Sequence, residues 1–434
     1  MKREASRLSR RGFLRRAAAG AAAPFVVRAS ALGGGGPPPA GDRIALGMIG
    51  LGSMGLRHVH GFLPEESCRI VAVCDVDAGR RKAALAAIHK HYGTADCAEH
   101  NDFRELLARR DLDAVVIAVP DHWHSVIAID AARAGKDIYG EKPLAPTVAE
   151  GRRMIDVVRR CGVVWQTGSW QRSTTRFRMA CELVRNGRVG TLRRVEVGIG
   201  LGYEIEPQPV MAVPDGFDYE MWLGPAPWAP YTEKRCHWNF RWISDYSGGQ
   251  VTDWGAHHID IAHWGMGADD TGPVTVAGEG RYPADGLYDT AVTYRFRCEY
   301  AGGIVLDVAS SNHLPQGVRF LGDDGWVHVT RGTLDAEPKS VLKERIRPGE
   351  IHLPRPPGDH RQGHRADFLH CVRTRAEPIT PIEVAQRSVT VAHLGNIAML
   401  LGRKIRWDPA AERCLDDHEA NRMLSRTPRE PWRT

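Results

Sequence analysis

No two of the nine cysteines, at positions 68, 74, 97, 161, 181, 236, 298, 371 and 414, stand in a C-x-x-C spacing. Their number is odd and several sit inside apolar runs, such as Cys74 in IVAVCD. That excludes a disulfide framework and a zinc ribbon and predicts buried free thiols. Internal repeats are missing too, which excludes a solenoid or propeller. The apolar run near the start, Ala17 to Val27, is too short to span a bilayer and is interrupted by Gly20 and Pro24.

A basic body is also lacking, although the pI is 8.9. Residues 1–31 carry Lys2, Arg3, Arg7, Arg10, Arg11, Arg15, Arg16 and Arg28 against Glu4. The whole chain has a formal charge of +6, so the remainder is close to neutral. This argues against a nucleic-acid partner. A charged start, a weakly apolar stretch and Ala29-Ser30-Ala31 together predict a signal peptide over 1–31 that is removed. Ser9-Arg10-Arg11-Gly12-Phe13-Leu14 resembles the twin-arginine signal, which exports proteins already folded and implies a periplasmic or other extracytoplasmic location. The alternative is a basic amphipathic N-terminus on a cytoplasmic protein. Gly33–Gly36 and Pro37–Pro39 make residues 32–42 a tether, with no membrane anchor left after cleavage.

With 434 residues, 43% hydrophobic and 25% charged, the chain has room for two globular domains. Strand patterns at Ile44–Gly50, Arg69–Asp75, Asp113–Pro120, Asp137–Gly140 and Val163–Gly168 alternate with helical ones at Ser53–Leu63, Ala78–His91, 124–135 and 147–161. This predicts an α/β Rossmann domain, a doubly wound parallel sheet, over residues 43–165. After about residue 190 the pattern changes. TAVTYRFRCEY (290–300) alternates, Gly302-Gly303 turns the chain into IVLDVAS, and Asp324-Gly325 signals a second hairpin. An α+β domain with a large, mainly antiparallel open sheet is expected over 166–434, with a sheet face available for a homo-oligomer, dimer or tetramer.

Gly50-Leu51-Gly52-Ser53-Met54-Gly55 joins a strand to a helix, and Asp75 ends the next strand. The spacing predicts a dinucleotide site in which Gly50 and Gly52 admit the backbone to a pyrophosphate and Ser53, Met54 and Gly55 open the helix. Asp75 would accept from the ribose hydroxyls and favour NAD; Arg80 and Arg81 leave NADP open. Glu141-Lys142-Pro143 ends the fifth expected strand and offers a cation beside a carboxylate. In SGGQVTDWGAHHIDIAHWGMG (247–267), read as one helix between glycines, Asp253 and His257 lie one turn apart, an imidazole base supported by a carboxylate. His258 and His263 read as packing residues, and no metal site is expected because neighbours on a helix diverge. In CHWNFRWISDYSGG (236–249), aromatic rings and basic donors suit a sugar. His237, Arg241 and Tyr246, with Arg172, Asp253 and His257, are the candidates for substrate contact.

These motifs, with Pro120-Asp121-His122-Trp123-His124 and Ala134-Gly135-Lys136, fall in an order that resembles the Gfo/Idh/MocA family of glucose-fructose oxidoreductases and inositol dehydrogenases. The resemblance covers nearly the whole chain beyond the tether. It implies Lys142, Asp253 and His257 as the catalytic trio, a cis Lys142–Pro143 bond, and a cofactor site that includes Pro120, His122, Trp123, His124, Glu141 and Lys142, with His124 lining the nicotinamide. It implies a hydride-transferring enzyme acting on a carbinol of a sugar or cyclitol. Export sharpens this: free NAD is scarce outside the cytoplasm, so the nucleotide is expected to be tightly bound. Two alternatives stay open, a redox-neutral NAD-dependent glycosidase or lyase working through a transient keto-sugar, and a non-catalytic carbohydrate-binding protein.

Overall fold

The computed structural model describes residues 40–432; the expected signal peptide and most of the expected tether lie outside them. Six strands, Ile44–Ile49 (β1), Cys68–Cys74 (β2), Ala98–His100 (β3), Ala114–Ile117 (β4), Asp137–Gly140 (β5) and Trp165–Thr167 (β6), form a parallel sheet in the order β3-β2-β1-β4-β5-β6. Every residue of β4 and of β5 is buried, as strands covered on both faces must be. The crossovers are Ser53–Phe62 (α1), Ala78–Tyr92 (α2), Phe103–Leu107 (α3), His124–Arg133 (α4) and Val148–Cys161 (α5). Local chemistry fixes their ends. The Asp77 carboxylate accepts from the amides of Gly79 and Arg80 to start α2, and Thr147 caps α5 through the Glu150 amide. Gly93 and Gly162 close the same helices in the left-handed conformation. The short polar strand β3 is an addition to the sequence-based expectation.

The second sheet has nine strands, Leu192–Ile199 (β7), Thr275–Arg281 (β8), Thr293–Glu299 (β9), Val305–Ser310 (β10), Gly317–Gly322 (β11), Gly325–Val329 (β12), Leu334–Glu337 (β13), Ile405–Asp408 (β14) and Arg413–Cys414 (β15). Their order is β13-β12-β11-β7-β10-β9-β8-β14-β15, antiparallel except for the parallel pair β7/β10. Both expected hairpins form, β9/β10 and β11/β12, the latter with Gly322 opposite Gly325. In β9 the alternation is complete: Tyr294, Phe296 and Cys298 are buried while Arg295 and Arg297 face out. At about 1.5–3 kcal/mol for each large apolar side chain, that alternation decides which face packs. On the outer face Arg297 and Arg194 both pair with Asp307, at 2.8 and 2.7 Å.

The helices of this half are Thr175–Arg185 (α6), Tyr219–Leu223 (α7), Gly249–Asp253 (α8), Gly255–Met266 (α9), His360–Thr374 (α10), Ile382–Leu401 (α11) and His418–Arg422 (α12). Helices α10 and α11 also serve the nucleotide half. Phe368 and Leu369 of α10 join the core with Leu46 and Tyr139, and Ile382, Ala385 and Val389 of α11 join the one with Met154 and Trp165. Hydrogen bonds lock the junction: Gln386 Nε2 donates to Val148 O and His393 Nε2 meets Ala145 O, each at 3.0 Å. The parallel sheet ends at Thr167, so the boundary expected at 165 falls inside β6.

Candidate active site

The strand order reverses between β1 and β4, and a long cleft opens at their C-terminal ends, where ligands bind in such sheets. The turn from β1 to α1 is built for close approach. Gly50 has φ +85°, and a Cβ there would lie 2.5 Å from Ala118 O. A Cβ on Gly55 would lie 1.9 Å from Gly50 O, so Gly55 lets helix and strand touch and lies outside the cleft wall. Gly52, Ser53 and Met54 line the cleft, and the N-terminus of α1 has no side-chain cap. Uncapped amides on a glycine cradle fit a dinucleotide pyrophosphate.

Asp75 lines the same end. Its two carboxylate oxygens already accept from the amides of Leu51 (2.6 Å) and Asp77 (2.9 Å), leaving one further lone pair on each for a ribose. Burial pushes its pKa up against those two amides and Arg80. The Arg80 guanidinium reaches over Gly52, while Arg81 is spent on the Asp75 carbonyl (2.6 Å) and Asn101 (3.1 Å). His237 also sits at this end, among Arg80, Asp77 and Phe217.

Of the Pro120–His124 segment, Pro120 and Trp123 line the cleft, and so does Asp121, which the sequence-based set omitted. His122 does not: it is fully buried, its Nε2 meets Trp222 O at 3.0 Å, and burial lowers its pKa to about 3. His124, expected beside the nicotinamide, does not line the cleft either. Its ring bridges Pro143 O (2.7 Å) and Val119 O (3.0 Å), so it clamps the 141–143 loop to the end of β4 from behind the wall.

The Lys142–Pro143 bond is cis. Glu141 is buried against His58, with Oε1 and Nε2 2.7 Å apart. Burial would raise its carboxyl, but His58 and Lys142 outweigh that and hold it below the ordinary value. Lys142 Nζ crosses to the second half, donating to Asp253 Oδ1 at 2.5 Å and Asp253 O at 2.9 Å. Arg241 Nε lies 3.2 Å from the same Oδ1. Burial again opposes ionisation, yet the two cations hold Asp253 at about 2.

His257 stands on the same wall, but the relation expected between it and Asp253 is absent. The segment breaks at Trp254 into α8 and α9, and Asp253 turns to Lys142 and Arg241. Among the described residues no carboxylate supports His257, and its Nδ1 is buried without a hydrogen-bond partner. Its ring lies between Trp170 and Trp254, at 6.4 and 6.2 Å. Burial, then Lys142, Arg331, His258 and Arg361, depress its pKa well below 6.5, so the imidazole is neutral. Of the substrate candidates, Arg241 lines the cleft beside Asp253, whereas His237 lines it at the Asp75 end. Arg172 and Tyr246 do not line it. Arg172 is 2% exposed and bidentate to both Asp260 and Asp269, and Tyr246 is wholly buried behind Trp222 and His122. Three lining arginines, Arg57, Arg331 and Arg361, went unread in the sequence. Arg57 follows the glycine turn by two residues; the other two sit in segments with no local signature.

Residues 44–169 match the family model described as "Oxidoreductase family, NAD-binding Rossmann fold", and residues 199–434 the one described as "Oxidoreductase family, C-terminal alpha/beta domain". A glycosyl hydrolase family 109 protein of Shewanella sp. (strain W3-18-1) is 34% identical over 122 residues, 27% of this chain and 27% of that protein. An inositol 2-dehydrogenase of Salmonella paratyphi B is 30% identical over 146 residues, 33% of this chain and 42% of that protein. The chain therefore matches less than half the length of either relative. The crystal structure of an aldose-aldose oxidoreductase from Caulobacter crescentus complexed with glycerol shares the fold, with a TM-score of 0.63 at 21% identity over 84% of this chain and 99% of that one. With both domains matched in order over a parallel sheet that bears the glycine turn, the chain belongs to the Gfo/Idh/MocA family of oxidoreductases and carries its NAD-binding Rossmann domain.

Proposed function

We propose that the protein exchanges hydride between a carbinol carbon of a sugar or cyclitol and a nicotinamide nucleotide retained in the cleft. The carrying observation is that the Lys142 ammonium and the neutral His257 imidazole, from opposite halves of the chain, line one cleft with the glycine turn. Gly52, Ser53, Met54 and Asp75 would hold the nucleotide, which when bound supplies the two-electron acceptor or donor for the carbinol carbon. His257 takes the hydroxyl proton, an act its neutral ring permits. Lys142 donates to the oxygen as charge develops there, and Asp253 with Arg241 fixes the ammonium in place. Asp253 thereby positions Lys142; in this arrangement it does not orient the imidazole.

The leader, read as a twin-arginine signal, supports export of the folded, loaded protein to the periplasm or beyond. Outside the cytoplasm reduced nucleotide is not replaced, so a second sugar reoxidises it in place. Asp75 favours NAD, and Arg80 over Gly52 leaves room for NADP. The outer face of the nine-stranded sheet, on which Arg295 and Arg297 are exposed, supports a homo-oligomer, dimer or tetramer, to be read by light scattering. The test of the main reading is to follow bound nicotinamide absorbance while adding sugars: reversible reduction supports it, and no change with any sugar or cyclitol refutes it. The likeness to a glycosyl hydrolase family 109 protein favours a second reading, a redox-neutral glycosidase. Release of free sugar from a glycoside without net reduction of the nucleotide selects that reading.

A further inference from the structure

Four carboxylates line the cleft, Asp75, Asp121, Glu141 and Asp253. All four are engaged: Asp75 by two backbone amides, Asp121 by Ser247 (2.5 Å), Glu141 by His58, and Asp253 by Lys142 and Arg241. Six basic side chains line it, Arg57, Arg80, Lys142, Arg241, Arg331 and Arg361. Arg80 lies over the glycine turn, where a pyrophosphate would take its charge. Arg331 and Arg361 lie at the other end, around His257. The Arg331 guanidinium carbon stacks 4.2 Å from the Trp254 ring centre and 4.8 Å from that of Trp170. That of Arg361 stacks 4.0 Å from the centre of Trp170.

Those two indoles flank His257, so the guanidinium planes are fixed beside the proposed base. Behind the cleft wall, the side-chain oxygen of buried Gln171 accepts from Arg331 Nε at 3.3 Å in the amide orientation that satisfies both groups. Arg361 Nε is buried with no partner at all. Arg57 is close enough to both for mutual repulsion, and burial, then Arg361 and Arg57, lower Arg331 to about 10 against the opposing pull of Asp253. Asp253 and Glu141 act on Arg331 and Arg361 only at range and are held by Lys142, Arg241 and His58, and among the described residues no carboxylate forms an ion pair with Arg57, Arg331 or Arg361. Cations packed together beside a substrate cleft with no ion-pair partner are arranged for an anion that arrives from solution.

We infer that the substrate is an acidic sugar whose anionic group, a carboxylate or a phosphate, is gripped by Arg331 and Arg361 with Arg57 closing the site. This rests on the proposed function for the location of the sugar ring and goes beyond it in naming the substrate class. The test is titration calorimetry on the full chain with its retained nucleotide, using D-glucuronate, D-galacturonate and D-glucose 6-phosphate against D-glucose and D-galactose. At least one acid binds about tenfold or more tightly than its neutral parent, since a charged hydrogen-bonded partner is worth about that factor or more. Whether a uronate or the phosphate wins identifies the anion.

Arg331→Gln and Arg361→Gln each weaken the preferred acid by about tenfold and move the neutral sugar by less than about twofold, with nucleotide content unchanged. Arg57→Gln, at an exposed position, gives the same selective loss where a stacked arginine is needed for folding. Equal affinity for acids and neutral parents overturns the inference. So does loss of nucleotide in parallel with loss of acid, which would assign the arginines to the cofactor. If neutral sugars alone reduce the bound nicotinamide, the proposed function stands and this inference falls. Selective acid binding without reduction by any sugar has the opposite meaning.

Discussion

At the scale of single residues, the Lys142–Asp253 pair joins the two halves of the cleft and places an ammonium beside a neutral imidazole. Lys142→Ala and His257→Ala are each expected to slow turnover by roughly 10²-fold or more with nucleotide still bound, the usual size of one such contribution. Single-turnover reduction of the bound nucleotide measures it, and near-normal rates in either variant remove that residue from the mechanism. The pH response has a definite sign. Asp253 is held at about 2 against an ordinary 3.8, so its stabilising contribution is complete above 3.8 and is lost as pH falls toward 2. Asp253→Asn should therefore flatten the acid limb of a stability-against-pH curve. Because His257 is held neutral below 6.5, oxidation of substrate should persist as pH drops through 6.5, where an ordinary imidazole base would be losing activity. Sequence spacing made both residues legible but not their partnership: i to i+4 spacing sets Cα positions on an unbroken helix, and the break at Trp254 released Asp253 toward a lysine from the other domain.

At the scale of elements, glycines and caps carried most of the readable information. The β1–α1 turn, the bounds of α2 and α5 and both hairpins followed from local chemistry that the fold does not override. Gly55→Ala places a methyl where only 1.9 Å is open, so α1 must shift off β1, and the variant should purify with little nucleotide and a lowered melting temperature. Arg172 shows the other side. A basic residue in an aromatic neighbourhood reads as a substrate donor, yet its charge is consumed inside by Asp260 and Asp269. Arg172→Ala strands a buried carboxylate and should cost about 3–5 kcal/mol in denaturant unfolding. A fully stable Arg172→Ala protein with weakened sugar binding would restore the substrate role. Tyr246 and His122 misled for the same reason: aromatic and imidazole side chains serve cores and sites alike, and only long-range packing separates the two.

At the scale of the whole molecule, alternation of strands and helices made the two-sheet architecture legible, whereas the return of α10 and α11 to the nucleotide half was not, since no local pattern encodes which distant surface a helix meets. The same is true of the arginines around His257, which arrive from three separate segments. If a nicotinamide nucleotide is kept in the cleft and cycled there by sugars, retention and cycling can be read in one measurement. The protein, purified through gel filtration, is mixed with a panel of neutral and acidic sugars while nicotinamide absorbance is recorded, and is then denatured so that the released nucleotide can be weighed. Close to one nucleotide per chain is expected, reduced by one sugar and reoxidised by another with no free cofactor added. A chain that emerges without nucleotide, or holds one whose absorbance no sugar alters, contradicts that expectation.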